Sequence, residues 1–222
     1  HSYSSAASDV YKRQCLIFTS GTTGKPKGVM ISHKNVLWTI ESLFGQIIPA
    51  SKYPRIVSYL PMAHIAARAG DHYQSIYRVG QIFPVPVLED MRDALPTIKP
   101  SVFIAVPRVW ERFKAALQAR IEENPKKDLI DKAIANGLEK VDYEQRGESV
   151  PLGVKIKDKI FAKLVFSKFK EGLGIMDTEY FVTAAAPMNK DVHRWFHAIG
   201  IDVTEIYGMT EDTGPATIGV PG

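Results

Sequence analysis

Residues 19–28 read Thr-Ser-Gly-Thr-Thr-Gly-Lys-Pro-Lys-Gly, directly after the apolar run Cys15-Leu16-Ile17-Phe18. The run constrains the chain more than any other. Gly21, Gly24 and Gly28 let the backbone take positive φ and approach a ligand closely. Successive N–H groups in such a turn form an anion-binding nest. Thr19, Ser20, Thr22 and Thr23 add hydroxyl donors, and Lys25 and Lys27 add positive charge. Together they predict a loop suited to polyphosphate.

It is not a Walker loop, which needs four residues between its glycines and then Gly-Lys-Ser/Thr. Gly21 and Gly24 are too close together, and Pro26 follows Lys25. Pro26 also argues against a helix opening directly after the first lysine. The bland alternative is a flexible Gly/Thr surface turn. The density of donors and lysines favours phosphate.

The bulk properties set bounds. The chain has 222 residues, 45% hydrophobic and 23% charged, which is ordinary for a globular protein and unlike a disordered one. A net charge of +4 suits anionic ligands such as nucleotides. The basic stretch carries no recognisable nucleic-acid module, so nucleic acid is not expected as a partner. A single cysteine excludes an internal disulfide and a cysteine-rich zinc site. The expected location is cytoplasmic, with contact to a membrane surface allowed. No apolar run is long enough for a transmembrane helix.

Residues 1–14 lack an initiator Met and a hydrophobic signal core, and Asp9-Val10-Tyr11-Lys12-Arg13-Gln14 reads as a translated transposase adapter. They are expected to be an artefactual or disordered leader, with a partial domain over residues 15–222.

Short apolar runs bounded by turn residues alternate with helical patterns. Strands are predicted over residues 16–19, 56–60, 81–87, 101–106, 180–184 and 202–206. Prolines 84 and 86 suit an edge strand. Helices are predicted over 33–48 with Ser32 as N-cap, over 65–77 and over 189–199. The alternation predicts an α/β fold, mostly parallel sheet flanked by helices. Val109, Phe113, Leu117 and Ile121 form the stripe of an amphipathic helix. Residues 154–170 carry six lysines against one acid, Asp158, interleaved with Ile156, Ile160, Phe161, Leu164, Val165, Phe166 and Phe169. Such a helix either packs its apolar face on the core and solvates its lysines, or lies on an anionic membrane. The first reading is the simpler expectation.

Four further segments follow the loop in order. They are Leu60-Pro61-Met62-Ala63-His64, then Pro107-Arg108-Val109-Trp110-Glu111, then Thr183-Ala184-Ala185-Ala186-Pro187, and finally Glu205-Ile206-Tyr207-Gly208-Met209-Thr210-Glu211. With the loop, this set closely resembles the adenylate-forming enzymes: acyl-CoA synthetases, luciferases and peptide-synthetase adenylation domains. The wording of the second and third segments is most similar to long-chain fatty acyl-CoA synthetases of the bubblegum-like branch. The resemblance covers residues 15–222, which places them in the large N-terminal domain of such an enzyme.

What the resemblance implies is specific. The loop, with Thr19, Ser20, Gly21, Thr22, Thr23, Gly24, Lys25, Lys27 and Gly28, would hold the β- and γ-phosphates of ATP. Ala185 and Ala186 would lie against adenine and the acyl chain. Ala184 stands where a glycine is usual, which puts the turn's detail in question. Tyr207 would offer a flat ring beside adenine, Gly208 a close backbone approach, and Thr210 a hydrogen bond to the α-phosphate. Glu205 opens this motif. Glu211 would ligate Mg2+, a hard ion that prefers carboxylate and phosphate oxygens. His64 would sit beside the acyl site, although a lone His is more often structural. Pro107-Arg108-Val109-Trp110-Glu111 reads as architectural, with Pro107 opening a helix and Trp110 anchoring it.

The implied activity is ATP-dependent conversion of a long-chain fatty acid to acyl-AMP and then to its coenzyme A thioester. Alternatives are an acyl-AMP ligase feeding a carrier protein, or a non-catalytic nucleotide-binding derivative. Retention of Lys27 and Glu211 argues against the latter. The family's ribose-binding aspartate, hinge and C-terminal lid domain have no counterpart within these residues, so the chain alone is expected to be inactive. No protein partner is predicted.

Overall fold

The computed structural model describes residues 13–19, 24–48 and 53–219. The leader expectation therefore falls outside it, apart from Arg13 and Gln14 at the start of the first strand. Two strands, β1 (Arg13–Thr19) and β2 (Lys27–Ser32), form an antiparallel ribbon. Their side chains alternate, with Ile17 and Ile31 buried while Leu16, Phe18 and Met30 face outward, as period-two geometry requires. The phosphate-type loop thus joins two strands, in keeping with Pro26 barring a helix. The strand that follows it was not expected.

Ser32 caps α1 (His33–Ile40) with a capping box: its hydroxyl accepts the Asn35 N–H, and the Asn35 side chain accepts the Ser32 N–H. The predicted helix over 33–48 holds in extent but changes character, running on as a π-helical segment, Glu41–Ile47. After β3 (Arg55–Ser58), the stretches Ile65–Ala67, Arg68–Tyr73 and Gln74–Arg78 run on as one helix, α2, again with a π-helical middle. The Arg78 guanidinium donates to the Phe44 carbonyl and, at 2.6 Å, to the Ile48 carbonyl. It thereby satisfies carbonyls at the end of the π-segment and ties it to α2.

β4 (Gln81–Pro84) is an edge strand, where its proline removes no needed ladder bond. Then come α3 (Met91–Ile98), β5 (Val102–Ala105), α4 (Pro107–Glu122), α5 (Lys127–Gln145) and α6 (Leu152–Phe161). A π-helical segment Ala162–Phe166 and a last stretch Ser167–Gly172 prolong α6. β6 (Tyr180–Ala184), α7 (Lys190–Ala198), β7 (Val203–Met209) and β8 (Gly214–Ile218) complete the described chain.

The main sheet has the order β4-β3-β5-β6-β7-β8, parallel except for β8, which returns antiparallel on β7. This is the predicted α/β architecture. Its two faces bury different residues. Phe103, Ala105 and Phe181 join the core under α3, α4 and α7, whereas Val102, Tyr180 and Val182 join the core under α1, β1 and β2. Trp110 anchors the first core, fully buried and edge-on to Phe103, Phe181 and Phe196. Pro107 opens α4, and the stripe Val109, Phe113, Leu117 and Ile121 is buried throughout.

The simple expectation for the lysine-rich helix holds only in part. Val165 and Phe166 are buried, and Phe161 and Phe169 pack on the core, but Ile156, Ile160 and Leu164 are exposed. α6 packs along α5, and its second apolar face stays exposed among the described residues.

Candidate active site

The strand order turns at β3. β4 lies on one side of it and β5, β6 and β7 on the other. In open parallel sheets such a switch leaves a crevice outside the carboxyl ends of the strands, where ligands bind. The chain fills that place with a cavity of 410 Å³. Its walls come from just past the ends of β3 (Leu60, Pro61, His64), β5 (Val106), β6 (Ala185) and β7 (Thr210). Its inner wall is apolar, formed by Phe44 of the π-segment, Ile65 and Ala69 of α2, and Ile104 of β5.

Among the expected site residues, His64, Ala185, Gly208 and Thr210 meet at this cavity. His64 is the N-cap residue of α2, its backbone N–H bonded to the Pro61 carbonyl at 2.9 Å. Thr210 and Glu211 sit in the 3₁₀ turn Thr210–Asp212 between β7 and β8, with Glu211 exposed. Glu205, Tyr207, Ala186 and Glu211 lie outside the cavity lining, Tyr207 being 63% exposed. Glu205 Oε1 accepts the Met188 N–H at 3.3 Å, fastening the alanine turn to β7. In the loop, Thr19 ends β1, Gly24 and Lys25 are exposed, and Lys27 and Gly28 start β2. Gly24 has φ +122°, a value that favours glycine. Ser20, Gly21, Thr22 and Thr23 lie outside the described residues.

Two expectations change in detail. The alanine turn's left-handed residue is Ala185, with φ +75°, while Ala184 is still paired with Ile206 in the sheet. The unusual alanine at 184 therefore leaves the strand end regular. The close approach at Gly208 is to protein: a Cβ there would lie 1.9 Å from the Gly214 carbonyl oxygen.

A magnesium ion fits these residues in one way. No group of three or more His, Cys, Asp or Glu side chains gathers among the described residues, so no all-protein cage exists there. Mg2+ with a phosphate ligand needs only one or two carboxylates. The exposed Glu211 beside Thr210 can supply one.

Sequence reasoning missed Asp71. Burial pushes its carboxyl from 3.8 up to about 7, a Ser58 side-chain hydrogen bond opposing the rise. It follows Gly70, a cavity residue, in a segment where Ala66, Ala67, Ala69 and Gly70 are small. Short side chains in a helix facing a cavity were the available signal. Because the folded value is raised, the native state holds this proton more tightly than the unfolded chain. Stability contributed in this way is full below about pH 4 and is lost as pH rises through about 7. Asp71→Asn is expected to flatten that slope and to raise stability at pH 8 by on the order of 4 kcal/mol. Urea unfolding at pH 5 and pH 8 checks it; an unchanged pH slope in the variant would count against a buried neutral carboxyl.

The fold and crevice define an α/β domain of the type that binds ligands at the carboxyl ends of parallel strands. A model of the family described as "AMP-binding enzyme" matches residues 10–222. The chain belongs to that family. It is 35% identical to the long-chain-fatty-acid–CoA ligase ACSBG2 of Rattus norvegicus over 217 residues, covering 92% of this chain and 32% of that protein. It is 34% identical to the putative fatty-acid–CoA ligase fadD11 of Mycobacterium tuberculosis, covering 93% and 36%. The chain thus spans about a third of the length of these curated relatives.

Solved structures agree on the fold. The N-terminal domain of FACL13 from Mycobacterium tuberculosis superposes with a TM-score of 0.60 at 21% identity, covering 94% of this chain and 40% of that one. o-Succinylbenzoate CoA synthetase from Bacillus subtilis, in complex with its acyl-adenylate intermediate, superposes with a TM-score of 0.58 at 18% identity, covering 93% and 31%.

Proposed function

We propose that the chain forms the substrate-activating part of an ATP-dependent acid–thiol ligase, which converts a long-chain fatty acid to acyl-AMP and then to its coenzyme A thioester. The observation that carries this reading is the cavity: an apolar chamber leading to Thr210 at the strand ends. Its 410 Å³ lies within the range of small-molecule sites, about 300–1,000 Å³. An acyl chain suits its apolar walls, and His64 and Thr210 are the polar side chains in its lining that a carboxylate would meet.

In the first step a carboxylate oxygen bonds to the α-phosphorus. The bond from that phosphorus to the bridging oxygen breaks, and pyrophosphate leaves. In the second, a thiol sulfur bonds to the acyl carbon, its proton passes to solvent, and AMP leaves. No protein nucleophile is needed. The barrier is anion meeting anion, so the chain's task is to position and neutralise. Lys25 and Lys27, with the loop's N–H groups and hydroxyls, hold the departing pyrophosphate. The Thr210 hydroxyl donates to the α-phosphate. Glu211 is the residue that would hold magnesium, which when bound would supply charge neutralisation at the phosphates.

The names of the relatives support a fatty acid and coenzyme A as substrates. Mass-spectrometric assay of the full-length protein with ATP, coenzyme A and acids of graded length tests this. Long-chain thioesters and AMP are the expected products. Acyl-AMP accumulating without thioester would overturn the acceptor, and preference for short or aromatic acids would overturn the chain length.

A further inference from the structure

Leu152, Ile156, Ile160 and Leu164 follow one another at four-residue spacing along α6, and they are 73, 50, 49 and 58% exposed. That spacing sets them on one stripe of the helix surface. The core-facing side is a different one, carrying Val154, Val165 and Phe166. A helix packed on a single neighbour normally shows a polar outer face. Here the outer face carries four large apolar side chains in a row.

Their flanks are basic. Lys155, Lys157, Lys159, Lys163 and Lys168 are all exposed. None forms an ion pair among the described residues. Asp158, the one acid of the stretch, is turned toward α5, where it pairs with Lys140 at 3.1 Å. The outward surface therefore combines an apolar stripe with uncompensated positive charge.

We propose that this face of α6 docks the protein on an anionic lipid surface. The four apolar side chains enter the boundary between headgroups and acyl chains, and the lysines meet lipid phosphates and carboxylates. The protein lies on the membrane by this helix. None of the described helices is long and apolar enough to cross one.

Charge argues for this occupant over others. A second copy seated face to face would set five more unpaired lysines against these, and like-charge juxtaposition is costly. An anionic bilayer offers both a hydrocarbon layer and a sheet of negative charge.

Flotation of the full-length protein with vesicles tests the proposal, using phosphatidylcholine alone or phosphatidylcholine mixed with phosphatidylserine. The wild-type protein is expected to float with the mixed vesicles, less at high salt, and poorly with phosphatidylcholine alone. The pair Ile156→Glu and Ile160→Glu, both at exposed positions and so compatible with folding, is expected to abolish flotation while the circular dichroism spectrum stays unchanged. The triple change Lys155→Gln, Lys157→Gln and Lys159→Gln is expected to weaken binding to mixed vesicles by about a hundredfold, roughly fivefold per lysine. Wild-type protein left unbound by the mixed vesicles would overturn the proposal, as would variants that bind like the wild type.

Discussion

Gly208→Ala is expected to cut acid-dependent acyl-adenylate formation by about a hundredfold or more in the full-length protein. A Cβ at this position would stand 1.9 Å from the Gly214 carbonyl oxygen, 2.7 Å from its carbon and 2.8 Å from Pro215 Cα. All three are backbone atoms of β8, so no side chain can swing aside. Either β8 moves off β7, or the irregular pairing between Tyr207 and Gly208 opens. Both movements displace the turn that links the two strands, and that turn carries Thr210 and Glu211. A shift of about 1 Å is enough to misplace groups that act by position. β8 is an edge strand, so the loss of global stability should be smaller, about 1–3 kcal/mol, as for other overpacked sites. Paired measurements of adenylate formation and thermal unfolding separate the two effects. Near-normal activity in the variant would show that the β7–β8 hairpin does not set the geometry of the turn.

The legibility of this chain follows the range of the forces involved. The stripe Val109, Phe113, Leu117 and Ile121 could be read from spacing because a helix's buried face is a local property, and all four are buried. β6 was predicted at its observed bounds, since Tyr180–Ala184 is a short run of strand-forming residues between the polar Asp177-Thr178-Glu179 and a turn ending in Pro187. β2 and β8 escaped notice. Lys27 and Gly28 weaken the strand signal of the first, and Gly214 and Pro215 that of the second, yet both are held by pairing with a neighbour. The π-helical segments were likewise hidden. The one at Glu41–Ile47 ends where Arg78, thirty or more residues along the chain, takes the carbonyls of Phe44 and Ile48.

The site was legible as motifs and illegible as a volume. His64, Ala185, Gly208 and Thr210 belong to ordered sequence segments, and the fold brings them to one cavity. The inner wall is different. Phe44, Ala69 and Ile104 lie on three separate elements, each unremarkable in its own segment, and only the packing of α2 against β5 makes them neighbours of one space. α6 shows the same limit in another form. Its sequence announces apolar and basic residues but cannot say which apolar face will find a partner. That depends on where α5 lies.

The second large effect is expected at Glu211. Its side chain is exposed in the 3₁₀ turn, so Glu211→Gln should leave folding within about 0.5 kcal/mol of the wild type. The amide keeps the shape and removes the charge. If the carboxylate holds magnesium at the phosphates, the loss falls on the charged transition state, by about a thousandfold. If the turn is only a connection, nothing changes. Exchange of labelled pyrophosphate into ATP reads this step alone, before any thiol takes part. With a long-chain fatty acid present, the full-length wild-type protein should catalyse the exchange and Glu211→Gln should not. Equal exchange by both proteins, or none by the wild type with any acid, would contradict the assignment of this crevice to acid activation.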